Sequence, residues 1–271
     1  MNGEAIMSAT RILPVAVRNA GDLATICAGE GAKSDPLWER ATKAKRQWAR
    51  DRLAELGTFA WVAYNGADPI GMIQCHPDHD PMGVGVAVID CIWVPKKSRW
   101  GRGIGSKLLA EVETTMQRQH RWFDGKPADG MAAMAFHGEA EGQQSAESFY
   151  VHHGFAHVDG DPDLMFKPFL PETVWTPTPR AVVAPRSQPH DQARVTVLLG
   201  PLSCPFQYRI LSQTGTYVGE KLGMTVTEVD AVIDPEGYLA HGGLTGILVN
   251  GRLLQHDLLR REKLDEELRG L

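Results

Sequence analysis

Short apolar runs alternate with amphipathic segments along the N-terminal part of the chain, and turn signals separate them. Two strand-like runs at 59–64 and 69–76 flank a turn sequence at 65–68, which predicts a β-hairpin. Between residues 36 and 56, apolar positions recur at helical spacing, which predicts one long amphipathic helix. A β-branched run at 86–94 predicts a third long strand. This mixture of strands and helices predicts an α/β fold.

The third predicted strand leads into a turn rich in glycine and basic residues, after which an amphipathic helix begins. Gly101, Gly103 and Gly105 let backbone N–H groups approach an anion closely, and the unpaired amides and dipole of a helix start favour negative charge. Arg99 and Arg102 add positive side chains. The turn is therefore a candidate phosphate site. The alternative is a tight strand-to-helix connection with exposed basic residues.

The pattern downstream of this helix predicts a short buried strand at 131–136 and a helix at 143–153. Tyr150 lies on the inner face of the second of these elements. Gly154 follows it as the residue type suited to a left-handed C-terminal cap. A strand pair that ends at Phe169 completes this part of the chain.

The glycine-rich turn and the helix end at 150–155 together resemble the GNAT (GCN5-related N-acetyltransferase) family, over about residues 10–169. That family has a pyrophosphate loop of the form Gln/Arg-x-x-Gly-x-Gly/Ala and a later helix end of the form Tyr-x-x-x-Gly-Phe. Residues 103–105 fit the second half of the loop pattern, whereas Trp100 stands where the family has Gln or Arg. The resemblance implies a mixed sheet flanked by helices, and acetyl-CoA as the cosubstrate.

The resemblance also implies chemical roles for particular residues. Tyr150 is expected to protonate the departing CoA thiolate, the alternative being that it only packs against the sheet. Asp90 and Glu139 are the carboxylates expected to accept the proton of the incoming amine, with His137 as a further candidate. The residues expected to bind acetyl-CoA are Ile92, Trp93, Val94, Arg99, Gly101, Arg102, Gly103, Ile104, Gly105, Ser106 and Gln143. The implied reaction is direct transfer to the amine of a small molecule or peptide in a ternary complex.

The C-terminal part of the chain has a different pattern. Beyond a proline-rich stretch, residues 194–271 show the order strand, helix, strand, connecting region, hairpin and helix. That order resembles a small thioredoxin-like domain, and its fusion to a GNAT domain resembles YoaP-type proteins. Cys204 stands at the place of a thioredoxin-like active-site cysteine, where a helix start favours the thiolate. Gln207 replaces a second cysteine, which excludes a dithiol cycle within this motif and leaves a monothiol, ligand-binding or packing role.

These patterns divide the chain into a GNAT domain at 1–169, a semi-rigid linker or wrapping segment at 170–193, and a thioredoxin-like domain at 194–271. The fold class is therefore α/β, with a mixed sheet flanked by helices and followed by a small second α/β domain. Two other functions stay open beside acetyl transfer. One is a non-catalytic acyl-CoA-binding sensor or scaffold, and the other is a thiol-dependent protein that uses Cys204.

Composition narrows the class of protein further. A formal net charge of -5 over 271 residues argues against a surface built for nucleic acid. No apolar run reaches the roughly 18 to 20 residues of a membrane-spanning helix, and the N-terminus lacks a signal-peptide pattern, so we expect a cytoplasmic protein without membrane partners. The four cysteines lack CxxC spacing, and the cysteine, histidines and aspartates at 75–80 lack a second ligand pair, so we expect no metal site. The sequence carries no signal for the acceptor or the oligomeric state.

Overall fold

The computed structural model describes residues 10–28, 35–118, 120–135, 142–177, 184–200 and 204–271. The chain divides into two compact units. Unit 1 consists of Met1–Ile26 and Arg50–Arg180, and unit 2 consists of Cys27–Ala49 and Ala181–Leu271. Helices α1 (Ala20–Ala28) and α2 (Pro36–Leu56) cross the boundary along the chain.

A seven-stranded mixed sheet forms unit 1, in the order β1-β2-β3-β4-β5-β7-β6. Its β4 and β5 are parallel, and its other neighbouring strands are antiparallel. Together with α3 (Ile104–Met116) and α4 (Ala146–His152), it confirms the prediction of an α/β fold with a mixed sheet and flanking helices. The strands are β1 Arg11–Pro14, β2 Ala60–Asn65, β3 Asp68–His79, β4 Gly85–Trp93, β5 Gly130–Met134, β6 Ala156–Val158 and β7 Asp161–Pro168.

The amphipathic pattern of α3 explains its place in unit 1. Leu108 and Leu109 are followed by Val112 and Met116 at helical spacing, so the four side chains share one face, and they are almost completely buried. Full burial of such a side chain stabilises the fold by roughly 1.5–3 kcal/mol before entropy is counted. The predicted hairpin of β2 and β3 is confirmed, as are the bounds of α2.

The fourth helix starts later than the sequence predicted. It begins at Ala146 rather than at Gln143, because Ser145 has an extended backbone and its Oγ accepts a hydrogen bond from Ser148 N at 3.1 Å. Gln143 therefore lies in the loop before the helix, where it is half-buried.

Unit 2 contains a four-stranded sheet in the order β11-β10-β8-β9. Its β8 and β9 are parallel, whereas β10 runs antiparallel to both β8 and β11. Side chains from β8, β10, α5 and α7, such as Val197, Val249, Val218 and Leu264, form its buried core. The elements are β8 Arg194–Leu199, α5 Pro205–Leu222, β9 Thr225–Asp230, α6 Pro235–Ala240, β10 Gly246–Val249, β11 Arg252–Leu253 and α7 Arg261–Arg269.

The sequence missed α6, where it predicted only a connecting region. The signal was present, because Asp234 accepts a hydrogen bond from Gly237 N at 2.9 Å as an N-cap and Pro235 occupies the first helical position.

The described ends of the proline-rich stretch are packed. Trp175 lies against Phe166 in unit 1, and Asp191 is buried in unit 2.

Within the described residues, no helix combines the length and apolar character needed to cross a membrane.

Candidate active site

Strand β4 continues beyond the residues that pair with β5. Pairing runs from Val86 with Gly130 to Ile89 with Ala133, whereas β4 continues to Trp93. The last four residues of β4 therefore extend beyond the parallel pair. A substrate arm placed there can form main-chain hydrogen bonds with the edge of β4. This segment contains Ile92 and Trp93, which the sequence predicted as cofactor-binding residues, and Val94 follows it.

The antiparallel pairing of β3 and β4 contains a β-bulge at the same place. Cys75 pairs with Ile89 and Gln74 with Cys91, so Asp90 is the extra residue between them. Asp90 is half-buried, and its Oδ1 lies 2.8 Å from Nδ1 of His76. A carboxylate only accepts hydrogen bonds, so Nδ1 carries the hydrogen, and Nε2 of a neutral His76 ring keeps a lone pair.

The glycine-rich turn joins β4 to the N-terminus of α3. Gly101 and Gly103 have left-handed backbones, with φ angles of 69° and 71°. A Cβ on either residue would meet nothing within 4 Å, so the turn is open at these two positions. Gly103 is the N-cap of α3 and provides no side-chain cap, which leaves the first amides of the helix for an external acceptor.

Two side chains of this turn point to neighbouring protein groups. Trp100 Nε1 donates a hydrogen bond to the carbonyl oxygen of Val94 at 2.8 Å, and Lys97 Nζ lies 6.0 Å from the centre of the Trp100 ring. Arg99 donates to Asp68 Oδ2 at 2.7 Å, in the β2–β3 hairpin. The tryptophan that replaces the family's Gln or Arg thus links the turn by a hydrogen bond to Val94, the residue after β4.

Helices α3 and α4 approach each other closely beside the turn. A Cβ on Gly105 would lie 3.3 Å from Cε2 of Phe149, which accounts for a glycine at this position. Ser106 Oγ lies 3.0 Å from Nε2 of His153. Burial lowers the pKa of His153, so its ring is held in the neutral form near pH 7. These contacts fix the first turn of α3 against the helix that carries Tyr150.

Tyr150 is buried in unit 1, with 3% of its surface exposed. Burial raises the pKa of its phenol, and the neighbouring Cys91 and Cys75 thiols act in the same direction. The phenol therefore keeps its proton near neutral pH, as a proton donor must. Cys91, whose charge acts on the Tyr150 phenol, belongs to the part of β4 beyond its pairing with β5. Burial likewise raises the pKa of Cys75, with further contributions from Asp90 and Cys91.

Other residues singled out from the sequence have different surroundings. Glu139 and His137 lie outside the described residues. Arg102 is exposed at the turn. The residues considered as metal ligands at 75–80 point to separate partners, since Asp78 accepts from Trp175 and Asp80 accepts from the backbone of Met82 and Val84.

A cavity of about 680 Å³ lies at the other end of β4, lined by Gly85, Phe123 and Asp129 among others. Because the unpaired end of β4 at residues 90–93 and the glycine turn lie at the opposite end of the strand, this cavity does not coincide with the candidate active site. Sequence reasoning also missed the pairing of His76 with Asp90. Only the register of β3 against β4 brings these two residues together.

The part of the chain that contains these features matches a known protein family. The model of the Acetyltransferase (GNAT) family matches residues 24–155, which include the bulged strand, the glycine turn and Tyr150. Residues 24–155 form a GNAT acetyltransferase domain. The chain is accordingly an acyltransferase. The family model matches fewer residues than the domain of 1–169 that the sequence predicts, and those domain bounds stay a prediction.

Solved structures similar to the chain include two acetyltransferases with low identity. A GNAT family acetyltransferase from Brucella melitensis, solved in complex with acetyl-CoA, is 18% identical, with 61% of this chain and 91% of that chain covered and a TM-score of 0.41. The PaiA N-acetyltransferase from Thermoplasma acidophilum, in complex with coenzyme A, is 16% identical, with 59% and 99% covered and a TM-score of 0.41. No curated protein sequence matches the chain.

Proposed function

We propose that the protein transfers an acetyl group from acetyl-CoA to the amine of a small molecule or peptide. The observation that carries the proposal is the open segment of β4 beyond Ile89, which leads directly into a glycine turn at the start of α3. A thioester arm and a pyrophosphate need these two features in this order. The GNAT family match supports the same reaction.

The cosubstrate fits the residues present in two places. Backbone amides from Gly101 to Ser106 would bind the pyrophosphate, where the helix dipole and the exposed Lys96 and Arg102 favour negative charge. The backbone of residues 91–94 would bind the pantetheine arm. A main-chain N–H near Val94 would then polarise the thioester carbonyl.

The reaction is a direct substitution at the thioester carbon. The amine nitrogen bonds to the carbonyl carbon, the carbon–sulfur bond breaks, and the electron pair leaves with sulfur. Tyr150 gives its phenolic proton to the thiolate, and a base takes the proton that the amine nitrogen gives up. Exchange with solvent then returns a proton to Tyr150 and removes the proton from the base. Because burial keeps the phenol in its protonated form, Tyr150 holds a proton when the thiolate forms.

We propose His76 as that base, with Asp90 as the residue that positions it. The hydrogen bond from Nδ1 to Asp90 fixes the orientation of the ring and leaves Nε2 able to accept a proton. His76→Gln should lower kcat about 100-fold and leave the KM for acetyl-CoA unchanged. His79→Gln, on the same strand, should match the wild type. Equal kcat values for His76→Gln and wild type would exclude this base.

Tyr150→Phe tests the proposed function itself. Acetyl-CoA should still protect this variant against thermal unfolding as it protects the wild type, while kcat falls about 100-fold or more. Tyr217→Phe, which loses a partly buried hydrogen bond to Asp265 in unit 2, is the matched control and should retain full activity. Thiol release should be measured over amines, amino acids, aminoglycosides, polyamines and peptides. Protection by acetyl-CoA without thiol release from any acceptor would instead favour an acyl-CoA sensor or scaffold.

We further propose that unit 2 is a thioredoxin-like domain with a thiol function as a second candidate activity. The sheet order β11-β10-β8-β9, with β8 and β9 parallel, supports the fold assignment. The specific observation for a thiol function is Cys204, which is half-buried and forms the N-cap of α5, where a helix start favours the thiolate. Cys27 is not the candidate thiol, because burial raises its pKa even though Lys45 Nζ lies 3.2 Å from its Sγ. Rapid alkylation of Cys204 near neutral pH would support this candidate, whereas the rate of an unactivated thiol would end it.

A further inference from the structure

Three side chains that can bind a metal converge in unit 2, and none of them is assigned to acetyl transfer. His190, Asp191 and His241 each present a ligand atom, and these atoms all lie within 4.8 Å of one another. Asp191 and His241 are buried, with 0% and 1% of their surfaces exposed, whereas His190 is exposed. The sequence pattern could not show this cluster, because fifty positions separate Asp191 from His241.

The hydrogen bonds of His241 determine which ring nitrogen faces the cluster. Nδ1 lies 2.7 Å from the carbonyl oxygen of Gly237, which can only accept, so Nδ1 carries a hydrogen. Nε2 faces the Asp191 carboxylate, at 3.3 Å from Oδ2 and 3.4 Å from Oδ1. Two acceptors face each other here unless a positive species lies between them. That species is either a second proton on His241 or a metal ion.

Asp191 and His241 are both oriented by further hydrogen bonds, as metal ligands in proteins typically are. A metal-bound histidine typically donates its other N–H to a backbone carbonyl or carboxylate, as His241 does to Gly237. Asp191 is held by Gln188 N at 2.5 Å and by Thr196 Oγ1 at 2.6 Å. These two donors fix the carboxylate and leave lone pairs directed toward His241.

The separations fit a tetrahedral ion. Zn–N and Zn–O bonds of about 2.0–2.2 Å place neighbouring ligand atoms about 3.3–3.6 Å apart. The His241–Asp191 distances of 3.3 and 3.4 Å already have this value, and His190 Nε2 lies 4.0 Å from Asp191 Oδ1. The exposed His190 ring can shorten its distance by a small rotation. Its ring lies 5.6 Å from that of His241, at an angle of 78°.

We propose that His190, Asp191 and His241 bind a divalent transition-metal ion, with a water molecule as the fourth ligand. The part played by His190 differs between a bound metal ion and a bound proton. A proton between His241 and Asp191 makes no use of His190, whereas a metal ion gains its third protein ligand from it. Neutral histidines and a carboxylate are the ligand set that Zn²⁺ accepts, and three protein ligands leave one position open to solvent.

Tag-free full-length protein should be stripped with a chelator and titrated with Zn²⁺ against a chromophoric competitor. The wild type should bind one ion per chain, and His190→Ala should bind at least 10-fold more weakly. Both should unfold at the same temperature in the presence of chelator, because His190 is exposed. His256→Ala is the matched control, since His256 is a partly exposed histidine of unit 2 that pairs with Glu267, and it should bind as the wild type does.

Substitution with Co²⁺ gives a readout that does not depend on affinity. A tetrahedral site with nitrogen and oxygen ligands should produce visible ligand-field bands in the wild type, and His190→Ala should lose or shift them. Equal Zn²⁺ affinity and equal spectra for wild type and His190→Ala would overturn the proposal. The cluster would then be a buried histidine–aspartate ion pair held by a proton.

Discussion

Each unit contains a strand-to-helix connection, and the two connections are built differently. The one between β4 and α3 is open, because Gly101 and Gly103 have left-handed backbones and a Cβ on either residue would meet no atom within 4 Å. The one between β8 and α5 is closed at its described first residue, since a Cβ on Gly200 would collide with Tyr238 and Thr245. Both helices begin without an acidic residue in the first turn.

The first helical residues sharpen this contrast. Helix α3 starts with Ile104, Gly105 and Ser106, whose amides are all donors, whereas α5 starts with Pro205, which has no N–H. Cys204 before it is an extended N-cap without a side-chain cap bond. A helix start therefore does not by itself make an anion site. The backbone of the preceding turn decides whether a phosphate can reach the amides.

The largest expected effect comes from closing the open turn. Gly103→Val places a β-branched residue at a φ of 71°, which costs about 1–3 kcal/mol locally and moves the amides at the start of α3. The KM for acetyl-CoA should rise at least about 10-fold, since that is about 1.4 kcal/mol of lost binding. Steady-state kinetics and acetyl-CoA titration measure the change.

The matched control lies in the other unit. Gly223 ends α5 with a φ of 64° and an equally open Cβ position, so Gly223→Val carries the same kind of backbone strain. It should lower the unfolding temperature as Gly103→Val does, and leave the KM for acetyl-CoA unchanged. If both variants raised the KM equally, the effect would be global destabilisation rather than loss of a phosphate site.

Local patterns in the sequence were sufficient to predict the elements on which this comparison rests. The β2–β3 hairpin, the bounds of α2 and the glycine turn before α3 depend on residues close together in the chain. Turn chemistry and helical periodicity act over that range. The GNAT match adds the family, which periodicity alone could not give.

Contacts between distant residues could not be predicted in the same way. The pair of His76 and Asp90 depends on a bulge that shifts the β3–β4 register by one residue. The cluster around Asp191 depends on α6, a helix of six residues that is too short for a periodic signal, although its Asp234 cap and Pro235 mark its start. Trp100 was a departure from the family loop, and its bond to Val94 is a tertiary contact.

A second prediction concerns a glycine of α5 that is packed against the sheet, compared with a glycine of α1 that is not. In α5, a Cβ on Gly215 would collide with the side chain of Val197 on β8. Gly215→Ala should therefore lower the free energy of unfolding by about 1–3 kcal/mol, because a well-packed core does not accept an extra methyl group. Gly21→Ala in α1, where nothing lies within 4 Å, is the control and should be neutral or slightly stabilising. Urea denaturation of both variants measures the difference, and an unchanged midpoint for Gly215→Ala would show that β8 and α5 can separate at little cost.

The smallest effect on acetyl transfer is expected from Cys204, in the connection between β8 and α5. This substitution tests whether acetyl transfer and a thiol function are separate activities. Cys204→Ser replaces a half-buried thiol by a hydroxyl of similar size, at a helix start that the acetyl-transfer mechanism does not use. Acetyl transfer by this variant should stay within about two-fold of the wild type, the range expected for substitutions away from a site. Alkylation at this position should disappear, while the buried Cys27 should stay as slow as in the wild type. A fall of more than about 10-fold in acetyl transfer would contradict this separation. It would show that the Cys204 thiol takes part in the reaction assigned to the glycine turn.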